Sequence, residues 1–124
     1  MIQRRILLRS GLFAALALVA GPLAPRRAAA AGPAARLVGI FREPASARAI
    51  GRAYLRQAPE EADAARLPGL IHPGDCASLP ASELRRAVAS RQRADFAAGR
   101  TVLVDGWVLS RTEARLCALA AVTG

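Results

Sequence analysis

The sequence predicts an α+β protein: a small, mostly helical domain of three to four helices with one β-hairpin near the C-terminus, preceded by a signal peptide. Three observations lead to this prediction. Prolines and glycines divide the chain after residue 43 into segments whose apolar positions recur at helical spacing. An Asp-Gly pair separates two short apolar runs, the pattern of a two-residue hairpin turn. The first 31 residues hold five arginines and no acidic residue, unlike the rest of the chain.

The N-terminus carries the features of an export signal in their usual order. An apolar stretch over residues 11–20 is too short for a membrane span of about 20 residues. Four alanines at 28–31 then suit signal peptidase, with cleavage after Ala30 or Ala31. The run Gln-Arg-Arg-Ile-Leu-Leu-Arg at residues 3–9 resembles the twin-arginine consensus. Its matching positions are Arg4, Arg5, Leu7 and Leu8.

This resemblance implies that the protein is exported to the periplasm and that two proteins of the export machinery act on it. The twin-arginine translocase, which carries proteins already folded, would export the chain, and signal peptidase would release residues 32–124 as a single small domain in the periplasm. The membrane would then be a partner only transiently, through the signal at residues 1–31. Two alternatives stay open: an uncleaved segment that tethers the protein to the membrane, or an arginine pair that arises by chance in an arginine-rich chain.

The charge of the mature part argues against nucleic acid as a partner. Of 18 basic residues, 13 follow residue 31, against nine acidic residues, so the mature net charge is +4. The 13 are all arginine, but they are not clustered together with aromatic side chains as phosphate contact and base stacking require.

The elements of the mature domain can be placed in order. The apolar run at 37–41 predicts either a strand or an apolar lead-in that docks on the core. Helix one spans about 44–57, and helix two runs from Pro59 to about Leu67, with Glu60 and Glu61 beside its positive dipole end. Helix three spans about 80–98 and ends at Gly99. Its expected core positions are Leu84, Val88 and Phe96.

A hairpin and a last helix complete the predicted fold. Residues 101–110 form two apolar strands around Asp105-Gly106. Ser110 and Glu113 then fit a capping box that begins helix four, which runs to about residue 122. With this turn, the predicted pairs are Val104–Trp107, Leu103–Val108 and Val102–Leu109. The larger apolar set, Val102, Val104, Trp107 and Leu109, then shares one face and is expected against the helices.

The other strand face then carries Leu103 and Val108, which are expected to face outward. We interpret this pair as an interaction face for a second copy of the domain or for a larger exported protein. The competing interpretation is that residues 37–41 fold back over the pair and cover it.

The segment DFAAGRTVLVDGWVLSRTEARLCALAA, residues 95–121, resembles the tail of small twin-arginine-exported bacterial proteins of unassigned function. The stretch IGRAYLRQAPEEAD, residues 50–63, is similar to the same group but less distinctive. No activity and no catalytic residue follow from this resemblance.

The two cysteines allow opposite expectations. Cys76 and Cys117 are an even pair in a chain with an export signal, which favours a disulfide. A bridge closing a loop of about 40 residues would contribute about 3 to 4 kcal/mol in the chain-entropy model. Alternatively, Cys117 is a small core residue flanked by Leu116 and Ala118.

The loop at 68–80 places His72, Asp75 and Cys76 close together in sequence. Their spacing matches no familiar zinc motif, and no third group is evident that would orient His72 as a base for a Cys76 nucleophile. We therefore expect no cofactor, no metal and no catalytic residue. The predicted function is that of an exported non-catalytic accessory or protein-interaction domain. The alternative is a small periplasmic enzyme or metal-binding protein that uses this loop.

Overall fold

The computed structural model describes residues 32–124. They form five α-helices and one two-stranded antiparallel hairpin, so the predicted α+β class is confirmed. The helices are α1 (Pro33–Val38), α2 (Pro44–Gln57), α3 (Leu67–Ile71), α4 (Ala81–Ala98) and α5 (Arg111–Thr123). The strands are β1 (Thr101–Val104) and β2 (Trp107–Ser110), between α4 and α5.

The apolar run at 37–41 is a lead-in and not a strand. It forms the end of α1 and the turn after it. Leu37 is fully buried in the main core, while Val38, Ile40 and Phe41 pack against the edge of the core. Arg36 holds α1 in place, because its guanidinium donates hydrogen bonds to the carbonyls of Cys76 and Leu79.

Helix two was predicted wrongly. Residues Pro59–Glu61 form only a 3-10 turn, and the chain then turns at Asp63, whose Oδ1 accepts hydrogen bonds from the backbone N–H groups of Ala65 and Arg66. The helix of this region, α3, begins at Leu67, where the predicted helix was to end, and it contains Pro68 and Gly69. Proline is compatible with the first turn of a helix, where its missing N–H leaves no hydrogen bond unmade, so Pro68 starts α3 instead of stopping a helix.

Helix α4 follows the prediction except at its C-terminal end. Leu84 and Val88 are buried, and Gly99 ends the helix in the left-handed conformation (φ 74°). Phe96, however, is 52 % exposed, and Asp95 is the buried residue of the last turn. At 100° per residue, position 95 lies almost directly in line with Val88, whereas position 96 is turned well away from it. A carboxylate therefore occupies the core position that was assigned to the phenylalanine.

The last helix, α5, is the centre of the fold. Its stretch Leu116–Ala120 is buried on every side, and its closest neighbour is α2. The two backbones approach closely at Gly51 of α2, where an added Cβ would lie 2.0 Å from the carbonyl oxygen of Cys117. The other fully buried large side chains come from α1, α3, α4 and β1, so each of these elements contributes to the core around α5. They are Leu37, Leu67, Ile71, Leu84 and Val104.

Candidate functional site

The hairpin closes through a two-residue turn, as predicted. Asp105 and Gly106 both have positive φ, 47° and 84°, which is the signature of a type I′ turn and the reason that Asp-Gly favours it. Val104 pairs with Trp107, and the pairs Leu103–Val108 and Val102–Leu109 follow. The register of all three pairs is the predicted one.

One face of the hairpin carries the cross-strand pair Leu103 and Val108, and we call this pair the outer face. These side chains are 62 % and 60 % exposed, although both are large and apolar. The run at 37–41 does not cover them, because its apolar side chains pack against the core instead. Isolated apolar residues are common on protein surfaces, but an adjacent cross-strand pair on a hairpin is a contiguous patch.

The opposite, inner face meets the helices only in part. Val104 is buried, and Val102 and Leu109 pack at the edge of the core. Trp107 was expected in the same contact, and this is wrong: the side chain is 70 % exposed. It lies beside the turn, at the hairpin tip, where the inner face lines a shallow cavity of about 150 Å³. The cavity wall is completed by Ala49, Ile50, Val104, Asp105 and Leu109.

The loop that offered a metal or enzyme site is built for structural contacts. Asp75 caps the short 3-10 turn Cys76–Ser78, because its Oδ1 accepts a hydrogen bond from the N–H of Ala77 at 2.9 Å. His72 is partly buried beside Gly74. Among residues 32–124, no three His, Cys, Asp or Glu side chains lie together as a metal-binding group. Burial raises the pKa of the Cys76 thiol, an effect that nearby Arg36 opposes, so the reactive thiolate is disfavoured.

The two cysteines are free thiols, and they are not close together. Of the two expectations, the disulfide is therefore absent from this structure, and Cys117 is a small core residue. The reason is that each thiol belongs to a different part of the core: Cys76 packs with the residues of the main cluster, whereas Cys117 packs with Ala47 and Ala120 between α2 and α5. Burial, together with the charge of Glu113, raises the pKa of Cys117 to about 12. Both residues act as small core side chains.

A buried carboxylate that the sequence did not reveal fixes the base of the hairpin. Asp95 Oδ2 accepts a hydrogen bond from the backbone N–H of Thr112 at 2.7 Å, and Oδ1 accepts one from Arg100 Nε at 2.9 Å. Burial alone raises the pKa of Asp95, but the hydrogen bonds from Thr112 and Arg100 outweigh it and lower the pKa below its ordinary value. With Ser110 Oγ accepting from the N–H of Glu113, two side chains cap the start of α5.

Glu61 also has a role other than the predicted one. Rather than facing a helix dipole, it accepts two hydrogen bonds from the Arg115 guanidinium, at 3.1 and 2.9 Å, and a third from the Tyr54 hydroxyl at 2.8 Å. This network joins α2 to α5. Burial and the adjacent Glu61 raise the pKa of Tyr54 to about 12, while the hydrogen bond from Arg115 is the main cause of the lowered pKa of Glu61. The contacts of Glu61 are therefore structural.

The signal residues Arg4, Arg5, Leu7 and Leu8 lie outside the described residues. None of the helices in the described part of the chain combines the length and the apolar character that crossing a membrane requires. No protein-family model matches this chain, and neither a curated protein nor a solved structure was found to match it.

Proposed function

We propose that this protein is an exported, non-catalytic accessory domain that binds another protein through the outer face of its hairpin. The observation that carries the proposal is the exposure of Leu103 and Val108, each by 60 % or more, on a hairpin whose opposite face packs on the core. Apolar surface on both faces of a two-stranded element is unfavourable in water, and a protein partner would bury the exposed face.

The chemistry of the described residues supports a binding role over a catalytic one. The ionisable side chains with clearly shifted pKa values serve helix caps, ion pairs or the core: Tyr54, Glu61, Cys76, Asp95, Arg115 and Cys117. The cavity at the hairpin tip is lined mainly by apolar side chains, and Asp105 is its one ionisable lining residue. Tyr54 and Glu61 border another cavity, of about 230 Å³, but Glu61 already accepts hydrogen bonds from Tyr54 and Arg115, so both groups are engaged in structural contacts.

The export step of this proposal predicts a defined mislocalisation. Replacing Arg4 and Arg5 together by lysine should leave the precursor in the cytoplasm, because the resemblance to the twin-arginine consensus rests on this pair. Fractionation followed by immunoblotting measures the outcome, and Arg26→Lys/Arg27→Lys is the matched control that preserves charge elsewhere in the segment. Unchanged recovery of the double variant from the periplasm would contradict export by this route.

The binding step predicts a loss of association without a loss of fold. The double variant Leu103→Thr/Val108→Thr places threonine, a β-branched residue that suits strands, at both positions. It also removes most of the apolar surface that the two side chains expose. We expect its melting temperature to stay within a few degrees of the wild type, while co-purification of partner protein is lost. Ile50→Thr is the matched control and should retain association, because Ile50 lies on α2 beside the cavity and not on the outer face. If the double variant unfolds, the outer face belongs to the core and the proposal is wrong.

A further inference from the structure

A polar cavity of about 230 Å³ lies where the end of α2 and the 3-10 turn after it meet strand β1 and the start of α5. Ala58 and Val102 are its two apolar lining residues. The rest of its wall is polar, unlike the mainly apolar wall of the cavity at the hairpin tip. These polar residues are Tyr54, Gln57, Glu60, Glu61 and Arg111. Such a wall suits a ligand that brings charges and hydrogen-bonding groups of its own.

Three of the polar residues are held by contacts within the domain. Glu61 accepts two hydrogen bonds from Arg115 and one from the Tyr54 hydroxyl, which thereby uses its only proton. Gln57 Nε2 donates a hydrogen bond to the carbonyl of Leu103 at 2.7 Å. Glu60 and Arg111 are left, one negative and one positive.

The contacts of the domain do not explain the position of the Arg111 side chain. The two ion pairs among residues 32–124 use Arg100 and Arg115, so Arg111 has no carboxylate partner there. In the same part of the chain, Arg111 Nε is buried without a hydrogen-bond partner, which leaves the Nη groups for a ligand in the cavity. Arg111 is also the first residue of α5, where the positive end of the helix dipole disfavours a cation.

Glu60 is the opposite charge on the same wall. Its side chain is exposed, and the carboxylates that form ion pairs in the described part of the chain are those of Asp95 and Glu61. Glu60 and Arg111 therefore do not pair with each other, although both line the cavity. A ligand between them would meet a cation on one side and an anion on the other.

We propose that this cavity binds a small zwitterion, whose carboxylate is held by Arg111 and whose ammonium group is held by Glu60. A guanidinium matches the planar shape of a carboxylate, and both contacts are charge-assisted. An anion alone would lie beside Glu60 and Glu61, and a cation alone would lie beside Arg111, so only a ligand with both charges complements the wall.

The size of the cavity narrows the ligand class. Its volume lies below the range of about 300 to 1,000 Å³ that is usual for ligand sites. An α-amino acid with a short polar side chain fits these limits of size and charge. The site goes beyond the proposed function, because neither residue of the outer face lines the cavity.

Three related probes test the two charges separately. L-serine carries both groups, 3-hydroxypropionate lacks the ammonium group, and ethanolamine lacks the carboxylate. Each is titrated into the purified ¹⁵N-labelled protein, and binding is followed by the amide shifts of Ala58, Glu60 and Val102, which border the cavity. We expect saturable shifts with L-serine and an affinity lower by about tenfold or more for each of the other probes, because each loses one charge-assisted contact.

Two variants assign the contacts to their residues. Arg111→Gln should weaken L-serine binding by about tenfold or more, and Glu60→Gln should bring the affinities for L-serine and 3-hydroxypropionate close together. Glu60 is exposed, so Glu60→Gln stays informative even if Arg111→Gln fails to fold. Arg56→Gln is the matched control, because Arg56 is an exposed arginine of α2 that does not line the cavity. Its affinity for L-serine should equal that of the wild type.

Three results would overturn the site. They are the absence of saturable shifts with L-serine, equal affinity for all three probes, and L-serine binding that survives both the Arg111 and the Glu60 substitution. The Leu103→Thr/Val108→Thr protein should bind L-serine as the wild type does, since its changes lie outside the cavity. Failure of the zwitterion site and failure of the proposed function are therefore separate results.

Discussion

Gly51→Ala is expected to be the most destabilising single methyl addition in this domain. The new Cβ would lie 2.0 Å from the carbonyl oxygen of Cys117 and 2.4 Å from its carbon, and both of these atoms belong to the backbone of the central helix. A backbone inside a helix cannot move aside as the end of a flexible side chain can. We expect a loss of about 3 kcal/mol or more, a large part of a small domain's stability. Thermal unfolding followed by circular dichroism should show a melting temperature lower by more than about 10 °C.

Gly69→Ala is the matched control for this substitution. Gly69 lies inside α3, and an added Cβ there would have nothing within 4 Å. Alanine is favoured over glycine in a helix by about 1 kcal/mol, so this variant should unfold a few degrees above the wild type. Opposite shifts from the same chemical change separate steric contact from helix propensity. A Gly51→Ala protein as stable as the wild type would contradict the close approach of α2 and α5.

The second large effect is expected at Asp95. In Asp95→Asn the side chain keeps its shape but has one acceptor oxygen for the two donors, Thr112 N–H and Arg100 Nε–H, and turns an NH₂ group toward one of them. The site is buried, so the unmade hydrogen bond is not replaced by water. We expect a loss of about 2 to 3 kcal/mol at pH 7, measured by urea unfolding.

The pH dependence identifies the charged carboxylate as the cause. Because the pKa of Asp95 is lowered in the folded protein, its stabilising contribution is complete above the pKa of the unfolded chain and is lost as the pH falls through the folded pKa. The difference between wild type and Asp95→Asn should therefore shrink in acid.

Arg100→Gln separates the ion pair from the helix cap. The Arg100 side chain is more than half exposed, so this control should cost less than about 1 kcal/mol. A difference between wild type and Asp95→Asn that stays constant from pH 7 to pH 3 would contradict the assigned role.

Features set by neighbouring residues could be predicted from the sequence, and those set by distant contacts could not. The hairpin register, the left-handed Gly99 and the Ser110 cap depend on residues within a few positions of one another. Asp95 reaches its partner Thr112 only after the hairpin has turned the chain back, and Glu61 meets Arg115 across 54 positions. No local pattern marks such pairs.

The candidate site was predicted to a similar extent. Alternation along the strands correctly places Leu103 and Val108 on the outer face. The exposure of Trp107 depends on how α2 packs beside the hairpin tip, where Ala49 and Ile50 leave a cavity, and strand alternation does not contain this information. The separation of Cys76 from Cys117 follows from the positions of α1 and α3 around α5, so an even cysteine count could not reveal it.

The place of α5 in the order of synthesis has a consequence for biogenesis. This helix supplies the centre of the core, yet it is the last element of the domain to leave the ribosome. Until then the apolar sides of α1 to α4 have no central helix to pack against, so the nascent domain exposes apolar surface during its translation. The core around α5 can therefore form only after this helix has left the ribosome.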